Sequence, residues 1–271
     1  MSDSAVPLGD SRPVWDLYSE QVRRSSASDG LSDVVVSPQF VRWSARGEYG
    51  WSEIAWTDVD ETNADQVITE QVSHFSSIGR SFMWRIYEHD LPRDLGTRLH
   101  NAGFTHIGTS ELMIAEVGDL LAPEELPEGV SFLQADDEQL IRRLIEVHES
   151  VFRSDQSKLG GMLRAQQSVA STLNEFVVAM ADGRPVASSR VQFFPDSEFA
   201  GLWGGSTLPE WRGRGLYSAM VAHRARIAAA RGYNYVYVVA SDESRPILEG
   251  LSFRSFGPIS SFEWQPARTL Q

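Results

Sequence analysis

A segment rich in glycine and arginine, set between a strand-like run and a helix-like run, is the part of the sequence best suited to chemistry. It extends from Thr207 to Met220 and contains Arg-Gly-Arg-Gly at 212–215. Glycine lets the backbone approach a ligand closely and take dihedral angles that other residues avoid. The first N–H groups of a helix have no partners within it, so together with the helix dipole they favour an anion such as phosphate. Arg212 and Arg214 can add charge-assisted hydrogen bonds to that anion.

Two well-known phosphate-binding loops do not fit this segment. No Gly-Lys-Ser or Gly-Lys-Thr follows the glycines, as a Walker loop requires. The third glycine of a dinucleotide-binding fingerprint is also missing. A lone Gly-x-Gly is more often a structural turn, but the preceding strand and the following helix favour an anion site here.

The segment resembles the acetyl-CoA loop of the GNAT acetyltransferase superfamily, whose pattern is Gln/Arg-x-x-Gly-x-Gly/Ala. Arg212, Gly215 and Tyr217 occupy its three positions, and Pro-Glu-Trp at 209–211 resembles the usual Pro-Glu-Tyr lead-in. Downstream, 244–253 resembles the second family signature, which often reads Ser-Arg-Ala-Leu-Tyr-Glu-Lys-Leu-Gly-Phe. The two motifs occur in the family's order, and the resemblance covers roughly residues 130 to 264.

The resemblance implies a reaction and a set of binding residues. The reaction is direct attack by the primary amine of a small molecule on the acetyl thioester, with both reactants held in line and the carbonyl polarised by backbone N–H groups. Acetyl-CoA is the implied co-substrate, without a metal. The predicted cofactor-binding residues are Ser206, Thr207, Leu208, Arg212, Gly213, Arg214, Gly215, Leu216, Tyr217, Ser218 and Ser244.

Three positions depart from the family pattern. Tyr217 stands where Gly or Ala is usual, and Ser252 replaces the glycine before Phe253. Leu248 stands where many members carry a tyrosine that protonates the leaving thiolate. Leu248 therefore favours one alternative, a CoA-binding sensor or scaffold without turnover. A second alternative keeps the fold but uses a longer acyl-CoA or a protein amine.

Three further residues are candidates for the acceptor site. A base must remove a proton from the acceptor ammonium. Glu198, beside the start of the strand that carries Thr207, is one candidate, and a solvated turn acid is its competing interpretation. His148 is another, because the ordinary pKa of histidine is about 6.5, and a packed boundary histidine is the competing interpretation. Trp203 lines either the acceptor pocket or the core.

Periodicity gives the elements that must position these residues. The sequence at 136–139 has good capping chemistry for a helix, and Asp182-Gly183 predicts a tight hairpin turn. The predicted fold is a mixed α/β (α+β) sheet flanked by helices. The other elements are a helix at 161–173, strands at 176–180, 186–194 and 199–208, a helix at 216–231, a strand at 233–239, a helix at 244–251 and a strand at 253–264.

The N-terminal half repeats the ending of the C-terminal half. A short helix, a small residue and then Phe occur at 95–104 and again at 246–253. We predict tandem GNAT-like domains, each a mixed, mostly antiparallel sheet with helices: a degenerate domain at 1–122, a linker at 123–129 and the acetyl-CoA-binding catalytic domain at 130–271. The N-terminal domain lacks the glycine loop and is expected to shape one wall of the substrate site.

Composition excludes several other classes of protein. The chain has no cysteine, so disulfides, thiolate metal sites and a cysteine nucleophile are excluded. A net charge of −13 argues against a nucleic-acid partner; it either attracts cationic amines or only maintains solubility. No apolar stretch is long enough for a membrane span and no signal peptide is visible, so we expect no membrane association and a cytoplasmic location. The sequence leaves a homodimer open.

Overall fold

The N-terminal half alternates helices with strands of one sheet. The computed structural model describes residues 11–25, 27–121 and 126–266, so the predicted linker lies partly outside the described residues. Helix α1 continues into a short π-helical turn, Ser19–Arg23. The elements are α1 (Ser11–Tyr18), β1 (Ser32–Val36), β2 (Phe40–Ala45), β3 (Glu53–Thr57), α2 (Ala64–Ser77), β4 (Phe82–Tyr87), α3 (Leu95–Asn101) and β5 (Thr105–Glu116).

From residue 136 onward the C-terminal half follows the predicted order of elements, and a strand at 130–134 that the prediction did not include precedes them. The predicted start of its second helix at 161 is wrong, because that helix begins at Ser157, whose N–H donates to the Asp155 carboxylate at 2.8 Å. The elements are β6 (Val130–Gln134), α4 (Glu138–Phe152), α5 (Ser157–Ala170), β7 (Asn174–Ala181), β8 (Arg184–Phe193), β9 (Phe199–Thr207), α6 (Leu216–Ala230), β10 (Tyr235–Ala240), α7 (Arg245–Glu249) and β11 (Arg254–Trp264).

The strands form one continuous mixed sheet, which confirms the predicted fold class. Among the described residues the sheet has 11 strands, in the order β1-β2-β3-β4-β11-β5-β10-β9-β8-β7-β6. The two halves exchange a strand: β5 lies between β10 and β11, and β11 lies between β4 and β5. The division near residue 122 stays a prediction, and the exchange means that each half completes the sheet of the other.

The same local turn ends both short helices, as the repeated pattern predicts. The Phe104 N–H donates to the Leu99 carbonyl at 3.1 Å, and the Phe253 N–H donates to the Leu248 carbonyl at 3.1 Å. Gly103 and Ser252 take left-handed φ values of 90° and 67° at these turns. Each Phe then packs into the core before the chain enters β5 or β11.

A split between two parallel strands is the feature that positions the site. Strands β9 and β10 pair only from Phe199 opposite Tyr235 to Gly201 opposite Tyr237, although β9 continues to Thr207. The β8–β9 pairing shifts register between Ser188 and Arg190, a bulge that increases local twist. The carboxyl ends of β9 and β10 therefore diverge, and such crevices are where open α/β sheets bind ligands.

Candidate active site

The glycine turn before α6 leaves open space above its backbone. Gly213 and Gly215 have φ of 71° and 77°, in the left-handed region. A Cβ added to either glycine would meet no atom within 4 Å. The turn therefore exposes its backbone to a ligand, and both conformations disfavour any residue other than glycine.

Helix α6 begins with free donors. Ala219 donates to the Gly215 carbonyl at 2.9 Å, which is the first N–H bond of the helix. The N–H groups of Leu216, Tyr217 and Ser218 come before it and have no acceptor inside the helix. These donors lie at the positive end of a 15-residue helix dipole, so the turn suits an anion.

A cavity of about 610 Å³ lies in front of this turn and along the end of β9. Nine of the eleven predicted cofactor-binding residues line it: Ser206, Thr207, Arg212, Gly213, Gly215, Leu216, Tyr217, Ser218 and Ser244. The other two do not. The Leu208 N–H donates to the Val186 carbonyl at 3.0 Å, and the Arg214 guanidinium lies 4.8 Å from the Trp211 ring. Arg212 reaches back to the Thr207 carbonyl at 3.2 Å.

Sequence reasoning missed several residues that line this cavity. Ser241 and Glu243 follow the end of β10 directly, and that position at the carboxyl end of a central strand could have indicated them. Val151 and Phe152 come from the end of α4, and only the folded arrangement shows that they contact this space. The other missed residues are Gly205, Trp211 and Ile247.

A second cavity, of about 210 Å³, lies beside the same split. Trp203 of β9 and Val239 of β10 line it, so it borders the point where those strands diverge. The ring of Trp203 meets the ring of Tyr237 edge-on at 5.9 Å. We call this space the aromatic cavity, because its walls include Tyr18, Trp43, Tyr49, Trp51, Tyr87, Phe194, Trp203 and Tyr237.

The N-terminal half supplies most of the charged groups of the aromatic cavity. Arg23 forms a bidentate ion pair with Asp90, in which Nη1 donates to Oδ1 at 2.9 Å and Nη2 donates to Oδ2 at 2.8 Å. Arg85 lies 3.5 Å from Glu53, and the Oε2 atom of Glu53 is buried without a hydrogen-bond partner within the described chain. Residues of the N-terminal half therefore form a large part of the wall of this cavity, and their role in substrate binding stays a prediction.

The structure does not support Glu198 as a base. Its backbone carbonyl accepts the N–H groups of Asn234 and Tyr235 at 3.0 and 2.9 Å, and its carboxylate accepts the Asn234 amide at 2.6 Å. Glu198 thus joins the beginnings of β9 and β10. The opposite end of β9, at Thr207, is roughly 30 Å from Glu198 at the rise of an extended strand. Neither cavity described above includes Glu198.

His148 lies near the split but is poorly suited to take a proton. It is buried, and a Cβ added to Gly204 of β9 would lie 3.5 Å from its ring. Burial is the main cause of a His148 pKa of about 4; a hydrogen bond with the Gly204 backbone raises the pKa, and the charge of Arg190 lowers it. The imidazole is therefore neutral at pH 7 and a weak base, and it lines neither cavity formed by the described residues.

The low pKa of His148 predicts a loss of stability in mild acid. The unfolded chain binds a proton near pH 6.5, whereas the folded chain resists it until about pH 4. Stability linked to His148 is thus present above pH 6.5 and is lost as the pH falls toward 4. When the pH is lowered from 7 to 5, we expect the free energy of unfolding of the wild type to fall by about 2 kcal/mol more than that of His148→Gln. Urea unfolding at the two pH values measures this difference. The exposed His100→Gln is the control and should behave like the wild type; equal losses in all three proteins would contradict the assignment.

The described part of the chain contains neither a metal-binding cluster nor a membrane-spanning helix. No group of three or more His, Asp or Glu side chains there is arranged to hold a metal ion. No helix of residues 11–25, 27–121 or 126–266 combines the length and apolar character of a membrane span.

Comparison with known proteins gives a family match and several structural matches. A model described as the acetyltransferase (GNAT) family matches residues 141–249, whereas a search of curated proteins finds no match. The fold is similar to that of a GCN5-related N-acetyltransferase from Kribbella flavida, at 19% identity and a TM-score of 0.67, covering 97% of this chain and 98% of that one. It is also similar to a tandem GNAT protein from the clavulanic acid biosynthesis pathway, at 12% identity and a TM-score of 0.58, covering 83% and 78%. A GCN5-related N-acetyltransferase from Sphaerobacter thermophilus matches at 13% identity and a TM-score of 0.57, covering 85% and 82%.

The structural matches agree on the fold, and the family match also includes the glycine turn. The residues that match the family extend from within α4 to the end of α7, and they include the split of β9 and the whole turn before α6. The matched residues therefore include the glycine turn, whose residues line the cavity of about 610 Å³. Residues 141–249 of this chain are a domain of the GNAT acetyltransferase family.

Proposed function

We propose that this chain is an N-acetyltransferase that moves the acetyl group of acetyl-CoA to the primary amine of a small molecule. The observation that carries the proposal is the open glycine turn at the start of α6, whose free N–H groups face a cavity of about 610 Å³. The family of the 141–249 domain is a family of acetyltransferases, which supports the same reaction class.

The cavity at the glycine turn fits the chemistry of CoA. Backbone N–H groups from Gly213 to Ser218 would bind the pyrophosphate. The edge of β9 from Gly205 to Thr207 lies beyond its pairing with β10, so its backbone can bond an extended pantetheine arm as if to an added strand. Bound acetyl-CoA supplies the activated thioester. The proposed contact with the thioester arm begins at Gly205, two residues along β9 from Trp203, which lines the aromatic cavity.

The aromatic cavity is the proposed site of the acceptor amine. Trp203 and Val239 place it against the diverging strands. An amine held there therefore lies next to the end of the cavity at the glycine turn, which we call the cofactor cavity. Its wall of rings suits a small ligand with apolar surface. Glu53 lines this cavity and pairs with Arg85 through its Oε2 atom, at 3.5 Å. A carboxylate at this position suits an ammonium group and can accept its proton. Glu53 thus takes the role that sequence reasoning gave to Glu198 and His148.

Removing the carboxylate of Glu53 is expected to slow acetyl transfer. Glu53→Gln keeps the shape of the side chain but cannot accept the proton, so kcat/KM for the amine should fall about 100-fold. Calorimetric titration should show unchanged affinity for acetyl-CoA, since Glu53 does not line the cofactor cavity. Glu48→Gln, an exposed change in the loop between β2 and β3, is the matched control. Full activity of Glu53→Gln would remove Glu53 from this role.

Two measurements on the wild-type protein test the proposal. Calorimetric titration of acetyl-CoA reports whether the cofactor cavity binds it. Thiol release with a panel of primary amines reports whether acetyl transfer follows. Saturable binding with amine-dependent thiol release supports the acetyltransferase. Failure to bind acetyl-CoA would overturn the proposal, since the glycine turn would then serve another ligand.

A CoA-binding sensor without turnover is the second candidate, and one residue favours it. By the family resemblance, Leu248 stands where many members carry a tyrosine that donates a proton to the leaving thiolate. Leu248 is fully buried in the core against Phe253. This position therefore cannot protonate a leaving thiolate. Saturable binding of acetyl-CoA with no thiol release from any amine would favour the sensor.

A further inference from the structure

Arg190 carries a positive charge in the aromatic cavity, and it forms no ion pair with a carboxylate of residues 11–25, 27–121 or 126–266. It lies on β8 opposite Trp203 of β9, and its guanidinium carbon is 6.0 Å from the centre of the Trp203 ring. Its Nη1 atom donates to the amide oxygen of Gln166 at 3.2 Å. Its Nε atom is buried and has no acceptor in the part of the chain that the structure describes.

The other charged groups of the aromatic cavity already have partners. Arg23 is paired with Asp90, and Arg85 with Glu53. The carboxylate of Asp29 accepts two backbone N–H groups, those of Leu31 at 2.9 Å and Ser32 at 2.8 Å. Arg190 is thus the guanidinium among the described lining residues that is left without an anion, in a chain whose net charge is −13.

Burial makes an unpaired guanidinium costly, and an anionic ligand would offset that cost. Burial lowers the pKa of Arg190 to about 10, with Tyr237 acting in the opposite direction, so the group stays protonated at pH 7. A planar guanidinium with free N–H groups matches a carboxylate in shape and charge. The cavity of about 210 Å³ is below the roughly 300–1,000 Å³ typical of pockets for drug-sized ligands, so the ligand is small.

We propose that the acceptor carries a carboxylate as well as its amine, and that Arg190 binds this carboxylate while the amine faces Glu53. This inference rests on the proposed function and narrows its substrate class to small amino carboxylates with an apolar or aromatic side chain. It disfavours polyamines, which carry only positive charge and would meet the unpaired guanidinium.

Matched pairs of amines test the proposal. Thiol release is measured with L-phenylalanine against 2-phenylethylamine and with L-tyrosine against tyramine, where each pair differs only in the carboxylate. We expect the carboxylated member to have the higher kcat/KM. Arg190→Met should lower that value about 10- to 100-fold and leave the partner amine unchanged. Arg184→Met, at the exposed start of the same strand, should keep the wild-type ratio. Equal preference for both members, or a ratio that Arg190→Met leaves unmoved, would overturn the proposal.

Direct binding separates this proposal from the proposed function. Quenching of tryptophan fluorescence can follow benzoate, phenylacetate and 3-phenylpropionate against their matched alcohols, because Trp203 adjoins Arg190. Carboxylates that bind the wild type, and not Arg190→Met, support the anion site even if acetyl-CoA fails to bind or thiol is never released. If none of these carboxylates binds and no carboxylated amine outperforms its partner, the anion site is wrong, whatever the acetyl-CoA titration shows.

Discussion

Gly215→Glu is expected to abolish binding of acetyl-CoA by an otherwise folded protein. Gly215 has a φ of 77°, and the space that its missing Cβ leaves open faces the cofactor cavity. A glutamate side chain would put a negative charge beside the free N–H groups of Leu216, Tyr217 and Ser218, where the pyrophosphate is proposed to bind. Like charges placed together across an interface cost several kcal/mol, so the dissociation constant should rise by at least about 100-fold in calorimetric titration.

The same helix offers a matched control for Gly215→Glu. Gly232, just beyond the other end of α6, has a φ of 84° and open space around its missing Cβ. Gly232→Glu therefore introduces the same charge and the same left-handed strain, about 1–2 kcal/mol, far from the cavity. Thermal unfolding should show similar destabilisation of both variants, and only Gly215→Glu should lose acetyl-CoA binding. Equal loss in both variants would mean that the effect comes from strain rather than from the phosphate position.

The cofactor side of the site could be predicted from the sequence because it is local. The strand, the glycine turn and the start of α6 are contiguous in the chain, and their geometry depends on short-range features such as Gly213, Gly215 and the free helix donors. Nine of the eleven residues predicted from this segment and from Ser244 line the cofactor cavity. Phe152 was missed because α4 reaches the same space only through the packed fold.

The acceptor side depends on long-range pairing, which the sequence pattern does not specify. Glu53, Arg85 and Arg190 lie on β3, β4 and β8, and each looks like an ordinary charged residue of an alternating strand. The strand exchange brings these strands around one cavity, because β11 and β5 insert between β4 and β10. Both inserted strands follow the same helix-and-Phe turn, so local sequence does not decide which half each strand joins. Glu198 was placed near the site for the same reason, since adjacency to β9 did not show which end of the strand carries the chemistry.

Breaking the buried ion pair behind the aromatic cavity is expected to destabilise the protein strongly. The Arg23 and Asp90 side chains are 3% and 6% exposed, and Arg23 also lies 4.0 Å from the centre of the Tyr87 ring. Asp90→Asn keeps an oxygen for the Tyr87 N–H, which Asp90 accepts at 2.9 Å, but leaves the Arg23 charge buried and unpaired. Leaving one member of a buried pair without its partner costs about 3–5 kcal/mol, a large share of the roughly 5–15 kcal/mol that stabilises a typical domain. Urea unfolding at pH 7 measures the loss.

Two further variants separate the unpaired charge from other causes. Arg23→Met combined with Asp90→Asn removes the orphaned cation, so the double variant should recover most of the stability that Asp90→Asn loses. Asp33→Asn breaks the Arg46–Asp33 pair, whose side chains are 56% and 62% exposed, and should cost less than about 1 kcal/mol. A double variant no more stable than Asp90→Asn would contradict this explanation. The N-terminal helix would then be held to the cavity wall by the packing of Arg23 against Tyr87 and by the hydrogen bond of Arg23 to the Ala55 carbonyl, not by charge pairing.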